Sequence, residues 1–363
     1  MSKKLCIFAN QFMDRNNKPY IIAGPCSVES RKQLTEVTKV LCTIPKVRLI
    51  RGGVWKPRTR PGGFEGLGEP ALKWMNELQE SPLRFSDGSP VRFCCEVASP
   101  EHVELCLHYG ITTLWLGART TASPFMVEEL CNALRGTGVS VMVKNPLSPD
   151  QRLWLGAIER LSQVGISHLA AIHRGFSMYN SQGYRNAPLW ELPLQLRRQC
   201  PDLPILCDPS HIGGNRQLIE PLSISAIQLE YDGLMVEVHP HPDEALTDGP
   251  QQLTPDDFRL LVGKLGALQM SKPATADARL IPLRQQIDDI DHELLRLLAQ
   301  RMELSRQIAT VKQESQMTVY QGKRWNDVLH DRLLLAKSLG IDTDFTKNIL
   351  ETIHGESIRI QMT

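Results

Sequence analysis

The chain has 363 residues, more than one ordinary small domain but suited to a barrel followed by a small module. Its 41 basic and 40 acidic residues give a net charge of +1, which argues against nucleic acid or an anionic membrane surface as a partner. Nine cysteines without a Cys-x-x-Cys pair indicate neither a disulfide framework nor a zinc ribbon. With no apolar run of signal-peptide or transmembrane length, we predict a reduced, cytoplasmic protein.

From Tyr20 to about Gly266, short apolar runs alternate with amphipathic or polar segments. Eight runs are predicted to be strands: Tyr20–Pro25, Val47–Val54, Val91–Val97, Thr112–Ala118, Ser140–Lys144, His168–His173, Leu203–Cys207 and Gly233–Val238. The clearest helical segments are Pro100–Tyr109, Pro124–Leu134, Pro149–Val164 and Thr254–Leu265. This alternation, with strands that are apolar on both faces, predicts an α/β fold, the parallel (β/α)₈ TIM barrel. An open, doubly wound sheet is the alternative.

An ionisable residue stands at the carboxyl end of each predicted strand. These residues are Cys26, Arg51, Glu96, Arg119, Lys144, Arg174, Asp208 and Glu237. In a barrel the strand ends converge on one face, where active sites of this fold are built. The pattern therefore favours the barrel over the open sheet.

The most distinctive segment is Arg51-Gly-Gly-Val-Trp-Lys56-Pro-Arg-Thr59, which follows the second predicted strand. Its cations lie among glycines and prolines in a segment predicted to be a loop. Glycine lets the backbone approach a ligand, and the cations suit phosphate or carboxylate oxygens. Together with Arg119, Lys144 and Arg174, they predict substrates with several anionic groups.

Four residues form a candidate metal site: Cys26, His211, Glu237 and Asp248. A thiolate, an imidazole and two carboxylates suit a divalent transition metal such as manganese, iron, zinc or cobalt. His239 and His241 are alternative ligands on chemical grounds alone. These four residues are far apart in the sequence, so the prediction requires that the barrel fold brings them together.

After Leu268 the alternation of strand-like and helical segments stops. We predict a barrel domain at 1–267, a polar linker at 268–280 and an all-α domain at 281–363. Apolar residues recur at helical spacing from Leu283 to Val311, which predicts a long first helix. Two shorter helices are predicted at about Trp325–Leu339 and Phe345–Ile360. Three helices with so long a first member cannot enclose a core alone, so we predict a homo-oligomer, at least a dimer through this domain.

The barrel carries seven motifs that together are specific: Gly24-Pro-Cys-Ser-Val-Glu29, Lys56-Pro-Arg-Thr59, Gly117-Ala-Arg119, Val143-Lys-Asn145, His173-Arg-Gly175, Cys207-Asp-Pro-Ser-His211 and Glu237. Over residues 18–266 the chain resembles 3-deoxy-D-arabino-heptulosonate 7-phosphate (DAHP) synthase of the short type I-beta kind. The related synthase of 3-deoxy-manno-octulosonate 8-phosphate is the alternative. It carries Lys-Ala-Asn-Arg-Ser where this chain has Lys-Pro-Arg-Thr, so the motif favours DAHP synthase.

The resemblance implies condensation of phosphoenolpyruvate with erythrose 4-phosphate, the first step of the shikimate pathway to aromatic amino acids. It implies that phosphoenolpyruvate is bound by Arg51, Lys56, Arg119, Lys144 and Arg174. It implies that erythrose 4-phosphate is bound by Lys56, Pro57, Arg58 and Thr59. The metal ligands would be the four named above, and the catalytic residues Lys56, Glu96 and Asp208. Which of Glu96 and Asp208 manages water and which manages protons stays open.

The C-terminal region resembles the all-helical chorismate mutases. Leu283-Arg284-Gln-Gln-Ile-Asp288 and Leu298-Ala-Gln-Arg301 carry the match. The resemblance implies rearrangement of chorismate to prephenate, with Arg301 and Lys312 catalytic and chorismate bound by Arg284, Arg301, Lys312, Arg324, Ser357 and Gln361. Trp325 stands where the family usually has a glutamate, and Gln321 where an aspartate is common. A regulatory binding module without turnover is therefore the alternative.

Helix geometry and the identity of the ligands add two expectations. Arg284 precedes Arg301 by a distance of about 25 Å along one helix, so a second chain must supply it to the same site. The helical domain resembles a protein that binds chorismate and prephenate, products downstream of the barrel's reaction. We therefore expect it to mediate feedback control by one of them; two enzymes joined without regulation are the alternative.

Overall fold

The structure is a computed structural model that describes residues 18–56, 62–179, 181, 183–269 and 279–362. The chain divides into two compact units, Met1–Ser271 and Lys272–Thr363. Each unit is described by itself below. Within the described ranges, no helix is both long enough and apolar enough to cross a membrane.

The first unit is a closed barrel of eight parallel strands in sequence order. The strands are β1 Tyr20–Gly24, β2 Val47–Arg51, β3 Phe93–Val97, β4 Thr113–Leu116, β5 Ser140–Lys144, β6 His168–His173, β7 Ile205–Cys207 and β8 Gly233–Glu237. The predicted TIM barrel is confirmed, and the open sheet is wrong because β1 pairs with β8. The second strand ends at Arg51, since Gly52 and Gly53 begin the loop that follows it.

Helices connect successive strands. They are α1 Arg31–Cys42, α2 Glu69–Glu80, α3 Pro100–His108, α4 Ala118–Thr121, α5 Pro124–Leu134, α6 Gln151–Gln163, α7 Glu191–Gln199, α8 Pro209–Gly213, α9 Arg216–Gln228 and α10 Pro255–Gln269. The starts of α3 and α5 follow from a Ser-Pro pair, in which the Ser99 and Ser123 hydroxyls accept hydrogen bonds from backbone N–H groups of the first turn. The sequence therefore determines where these helices begin.

The core lies between the strands and the surrounding helices. Nearly all strand residues are buried, whichever face of the sheet their side chains are on, as expected for a parallel sheet covered by helices. Trp154 of α6 is fully buried, and its indole N–H donates to the Val143 carbonyl at 3.0 Å. This bond fixes α6 against β5 and holds the end of the strand that carries Lys144.

The second unit contains three helices: α11 Leu280–Glu314, α12 Gly322–Ser338 and α13 Thr343–Gln361. Both α11 and α12 pack against α13. The 35 residues of α11 form one continuous helix. Its apolar stripe stays 48% to 59% exposed in the single chain at Leu283, Ile287, Ile290, Leu294, Leu297, Leu304, Ile308 and Val311. The three-helix prediction is confirmed, and the predicted dimer stays a prediction.

Candidate functional site

The ionisable residues predicted at the strand ends all lie at the carboxyl end of the barrel. The structure places them in or shortly after successive strands: Cys26, Arg51, Glu96, Arg119, Lys144, Arg174, Asp208 and Glu237. Parallel strands run in one direction around the barrel, so these eight positions converge on one mouth.

Cys26, Glu237 and Asp248 form a compact group of potential metal ligands. One ligand atom of each lies within 4.8 Å of the other two. Cys26 and Glu237 are fully buried, and the Cys26 Sγ lies 3.1 Å from Asp248 Oδ2. The register of β1 on β8 sets Gly24 opposite Glu237, so barrel closure brings the thiol to the carboxylate.

His211 lies beside this group. Its Nε2 is 3.8 Å from Glu237 Oε1, and its Nδ1 is 2.8 Å from Asp208 Oδ2. One ring nitrogen is thus anchored on a carboxylate while the other is directed towards the candidate ligands, an arrangement common for metal-binding histidines. His211 therefore adjoins the three-residue group through Glu237, and all four predicted ligands lie at the same barrel mouth.

The chemistry of these side chains fits a divalent transition metal. Burial raises the pKa of the Cys26 thiol to about 12, and the neighbouring Glu237 carboxylate adds to the rise. A nearby positive charge favours the thiolate, and the Lys56 Nζ already lies 3.0 Å from the sulfur. Glu237 Oε1 is buried and accepts no well-formed hydrogen bond within the described residues. It therefore has a lone pair to offer a metal.

The two alternative histidine ligands make other contacts. His239 Nε2 lies 3.4 Å from Glu29 Oε2, and its Nδ1 accepts a hydrogen bond from the backbone N–H of His241. The His241 ring is largely exposed, with Nε2 3.8 Å from Glu36. The geometry thus favours His211 as the imidazole ligand.

A cleft of about 250 Å³ opens beside the candidate metal ligands. Five cationic side chains of the described chain line it: Lys56, Arg119, Lys144, Arg174 and Arg185. Burial lowers the pKa of Arg174 to about 10, so its guanidinium remains charged at neutral pH. Glu96, His211 and Asp248 also reach the cleft. It is thus suited to a polyanionic ligand placed next to a metal.

Arg51 is more deeply buried than these cations. Its Nη2 lies 3.0 Å from Glu237 Oε1, and its guanidinium carbon lies 5.2 Å from the Trp115 ring centroid. The Nε and Nη1 atoms are buried and have no hydrogen-bond partner among the described residues. Arg51 therefore neutralises a candidate metal ligand and retains donors that are not satisfied.

The two predicted acid–base residues have different surroundings. Asp208 is fully buried and accepts a 2.9 Å hydrogen bond from Lys144 Nζ. Burial alone would raise the pKa of Asp208, but the charges of His211 and Lys144 hold it well below its usual range. Glu96 lines the cleft and accepts a 3.0 Å hydrogen bond from the Trp115 indole. Asp208 is therefore a fixed anion, while Glu96 is the carboxylate at the cleft surface.

Residues 57–61 lie outside the described residues. The predicted sugar-phosphate ligands Pro57, Arg58 and Thr59 fall in this range, so their placement stays a prediction. Lys56, which precedes them, is described and lines the cleft.

In the helical unit, two pairs link α11 to α13. Arg301 donates to the Ser357 hydroxyl, and Lys312 Nζ donates to Gln361 Oε1 at 2.9 Å. Lys312 also donates to the Val319 carbonyl at 2.5 Å. Four of the six predicted chorismate-binding residues thus form one row along the helix pair.

The remaining two residues are exposed, Arg284 on α11 and Arg324 on α12. Since α11 is one continuous helix, Arg284 lies about 25 Å along the axis from Arg301. Within one chain it cannot reach the row at Arg301 and Lys312.

Comparison with known proteins identifies both units. Residues 7–268 match the model of the DAHP synthetase I family. The chain belongs to this family. Residues 283–362 match the model of chorismate mutase type II. Both resemblances noted in the sequence are confirmed.

The relatives that the barrel resembles include both heptonate and octonate aldolases. The phospho-2-dehydro-3-deoxyheptonate aldolase of Thermotoga maritima is 33% identical over 248 residues, 68% of this chain and 69% of that protein. The 2-dehydro-3-deoxyphosphooctonate aldolase of Desulfotalea psychrophila is 34% identical over 272 residues, 68% of this chain and 88% of that protein. The crystal structure of the T. maritima DAHP synthase superimposes with a TM-score of 0.60 at 33% identity and covers 68% of each chain. The chain is an enzyme with a DAHP synthase domain and a chorismate mutase domain.

Three residues of the synthase site were missed in the sequence. Arg185 Nη1 lies 2.9 Å from Asp248 Oδ1, Gln251 Nε2 donates to Glu237 Oε2 at 2.5 Å, and Gln252 Oε1 accepts from the Cys26 backbone N–H at 2.9 Å. All three hold candidate metal ligands. Their positions in the sequence could have indicated them. Arg185 follows β6 and the two glutamines follow Asp248, in loops at the same face of the barrel.

Replacing Gly117 tests the placement of Glu96. A Cβ at this position would lie 2.1 Å from Glu96 Oε1, so Gly117→Ala must displace the carboxylate from the Trp115 indole. We expect the synthase kcat/KM to fall by about tenfold to a hundredfold, because misplacing a reacting-site group by an ångström has effects of this size. The measurement is steady-state phosphate release.

Gly156→Ala is the matched control. Gly156 lies within α6, and an added Cβ there meets nothing within 4 Å. It should leave kcat/KM unchanged and raise stability by up to about 1 kcal/mol through helix propensity. Equal activity of the Gly117→Ala and wild-type proteins would contradict the placement of Glu96.

Proposed function

We propose that the barrel condenses phosphoenolpyruvate with erythrose 4-phosphate to give DAHP and inorganic phosphate. The observation that carries this proposal is the cation-lined cleft directly beside the buried Cys26–Glu237–Asp248 group. Phosphoenolpyruvate has a phosphate and a carboxylate, and erythrose 4-phosphate has a phosphate and an aldehyde. The cleft offers cations for the anionic groups and a metal site for the aldehyde oxygen.

Phosphoenolpyruvate binding is assigned to Arg119, Lys144 and Arg174, with Arg51 and Lys56 completing its surroundings. Arginine forks match phosphate and carboxylate oxygens in two-point hydrogen bonds. The unsatisfied donors of Arg51 support its inclusion. Lys56 stands between the candidate metal ligands and the cleft, so its ammonium can contact either substrate.

Erythrose 4-phosphate binding is assigned to Lys56, Pro57, Arg58 and Thr59. The sequence supports this assignment, because the Lys-Pro-Arg-Thr motif differs from that of the octulosonate synthases. The arginine and threonine suit a terminal phosphate, and the proline restricts the loop before the sugar binds.

A metal bound by Cys26, His211, Glu237 and Asp248 would polarise the aldehyde carbonyl as a Lewis acid. The protein's own groups then have separate tasks. Glu96, at the cleft surface, is positioned to accept or deliver the proton of the water that adds to the enolpyruvate carbon. Asp208 orients Lys144 and His211 through its two contacts.

Cys26→Ala tests the metal and the reaction together. The variant should contain little manganese, iron, zinc or cobalt by elemental analysis. Its phosphate release from phosphoenolpyruvate and erythrose 4-phosphate should fall at least about a hundredfold, because a ligand is lost. Chelator should abolish wild-type activity, and added divalent metal should restore it.

Cys131→Ala is the matched control, since Cys131 is also buried but belongs to α5 on the outside of the barrel. It should retain both metal and activity. Full activity of Cys26→Ala in chelator would refute the metal role. Faster phosphate release with arabinose 5-phosphate than with erythrose 4-phosphate would identify the barrel as an octulosonate phosphate synthase.

For the helical unit we propose rearrangement of chorismate to prephenate by a dimer. Cations on Arg301 and Lys312 match the carboxylates and the breaking ether oxygen of chorismate, and Ser357 and Gln361 add neutral hydrogen bonds. Arg324 extends this set from α12, and Arg284 joins it from a second chain. The exposed apolar stripe of α11 supports such a dimer, because pairing would bury it.

Mixing two inactive variants tests the shared site. Arg284→Ala and Arg301→Ala chains, unfolded and refolded together in equal amounts, should recover about a quarter of wild-type mutase activity. Half of the dimers are then mixed, and each contains one site with both arginines. Mass spectrometry of intact complexes verifies the mixed dimers, and absence of recovery in them would refute a site shared between chains.

We further propose that prephenate or chorismate bound to the helical unit inhibits the synthase. The proposal is supported by the fusion of a site for downstream products to the enzyme of the first step. Inhibition requires that the ligand binds one conformational state better than another, and a tenfold preference corresponds to about 1.4 kcal/mol.

Arg301→Ala in the full chain tests this regulation. Prephenate should inhibit the wild-type synthase, and the variant should need at least about a tenfold higher concentration because a carboxylate partner is removed. Arg332→Ala is the control, since Arg332 is an exposed cation of α12 that pairs with Asp331. Equal inhibition of all three proteins, or no inhibition of any, would contradict the regulatory role.

A further inference from the structure

Trp325 and His354 form a stacked aromatic pair in the helical unit. Their ring centroids are 3.9 Å apart and their planes differ by 4°. Trp325 lies in the first turn of α12 and His354 on α13. The Tyr320 ring flanks the imidazole, with 6.3 Å between centroids. The indole therefore fixes the plane of the imidazole across the contact between two helices.

His354 belongs to the same environment as the proposed chorismate-binding residues. It precedes Ser357 by three positions on α13, so the two side chains share one face of the helix. Ser357 in turn accepts a hydrogen bond from Arg301. Burial and the positive charges of Arg301 and Lys312 lower the pKa of His354. The imidazole is therefore neutral at physiological pH.

The imidazole has an unused hydrogen-bonding atom. His354 Nε2 is buried and has no hydrogen-bond partner among the described residues. Buried polar atoms in native proteins are usually paired, so an unpaired one next to the proposed chorismate-binding residues is a candidate partner for a ligand group. Nearby Arg301, Lys312 and Ser357 already have partners within the unit.

Chorismate supplies one polar group that the cations do not match. Its two carboxylates and its ether oxygen favour positive partners, whereas its ring hydroxyl is neutral and both donates and accepts. A neutral imidazole nitrogen complements that hydroxyl in either tautomer. We infer that His354 Nε2 hydrogen-bonds the ring hydroxyl of chorismate, and that Trp325 is a positioning residue that holds the imidazole for this contact. This inference rests on the proposed mutase function.

The test compares chorismate with an analogue in which hydrogen replaces the ring hydroxyl, using the full chain. His354→Phe preserves an aromatic ring against Trp325 but removes the nitrogen. Its kcat/KM for chorismate should fall by about tenfold to a hundredfold, while its kcat/KM for the analogue should stay within about twofold of wild type. The ratio of the two values is independent of the fraction of folded protein, so a purely structural effect would not change it.

Four further variants complete the experiment. His354→Gln keeps a neutral hydrogen-bonding side chain and should recover part of the preference for chorismate. Trp325→Ala should reduce that preference more than Trp325→Phe, because only phenylalanine keeps a ring against the imidazole. His330→Phe, at an exposed position of α12, is the matched control and should behave as wild type.

Arg301→Ala separates the two proposals. It should lower kcat/KM for both compounds to a similar degree, since it removes a partner of a group that both share. If Arg301→Ala lowers turnover but His354→Phe keeps the wild-type preference for chorismate, the role of His354 is refuted while the mutase function stands. If the wild-type chain does not convert chorismate at all, the mutase function itself fails.

Discussion

The pairing of the first strand with the eighth is the constraint on which the synthase site depends. Five residue pairs join β1 to β8, from Tyr20 opposite Gly233 to Gly24 opposite Glu237. This register brings Cys26 to Glu237, although the two residues lie at opposite ends of the barrel sequence. Without closure, the thiol and the carboxylate would lie at opposite edges of an open sheet. Barrel closure completes the hydrogen bonds between β1 and β8, and it thereby brings the candidate metal ligands together.

Buried charges of opposite sign then hold the site in place. Arg51 lies against Glu237, and Lys144 against Asp208, each at a separation of 3.0 Å or less. Removing one member of such a pair leaves an uncompensated buried charge, which typically costs about 3–5 kcal/mol. The cations that suit anionic substrates therefore also stabilise the acids around the candidate metal site. The proposed binding residues are consequently also the residues that hold this end of the barrel together.

The helical unit follows a different principle. Its long first helix presents an apolar stripe to the exterior and carries Arg284 and Arg301 at widely separated points. Both features fit the proposed association with a second copy, which would cover the stripe and bring the distant arginine to the proposed site. The stacked Trp325 and His354 rings lie next to the proposed chorismate-binding cations. In the proposed role of His354, a neutral, oriented group among cations would provide selectivity that charge alone does not give.

The sequence by itself determined the eight strands, their order and the three C-terminal helices, and it predicted most residues of the candidate site. These features depend on local patterns: apolar runs, Ser-Pro helix starts, and a charged residue at each strand end. Tertiary structure decided what those patterns leave open. It favoured His211 over His239 and His241 as the imidazole near Glu237, and it revealed Arg185, Gln251 and Gln252. It also gave Asp208 and Glu96 different surroundings, one sealed between cations and the other at the cleft surface. Such distinctions depend on which side chains meet across the barrel, and contacts between residues so distant in the chain have no local signature.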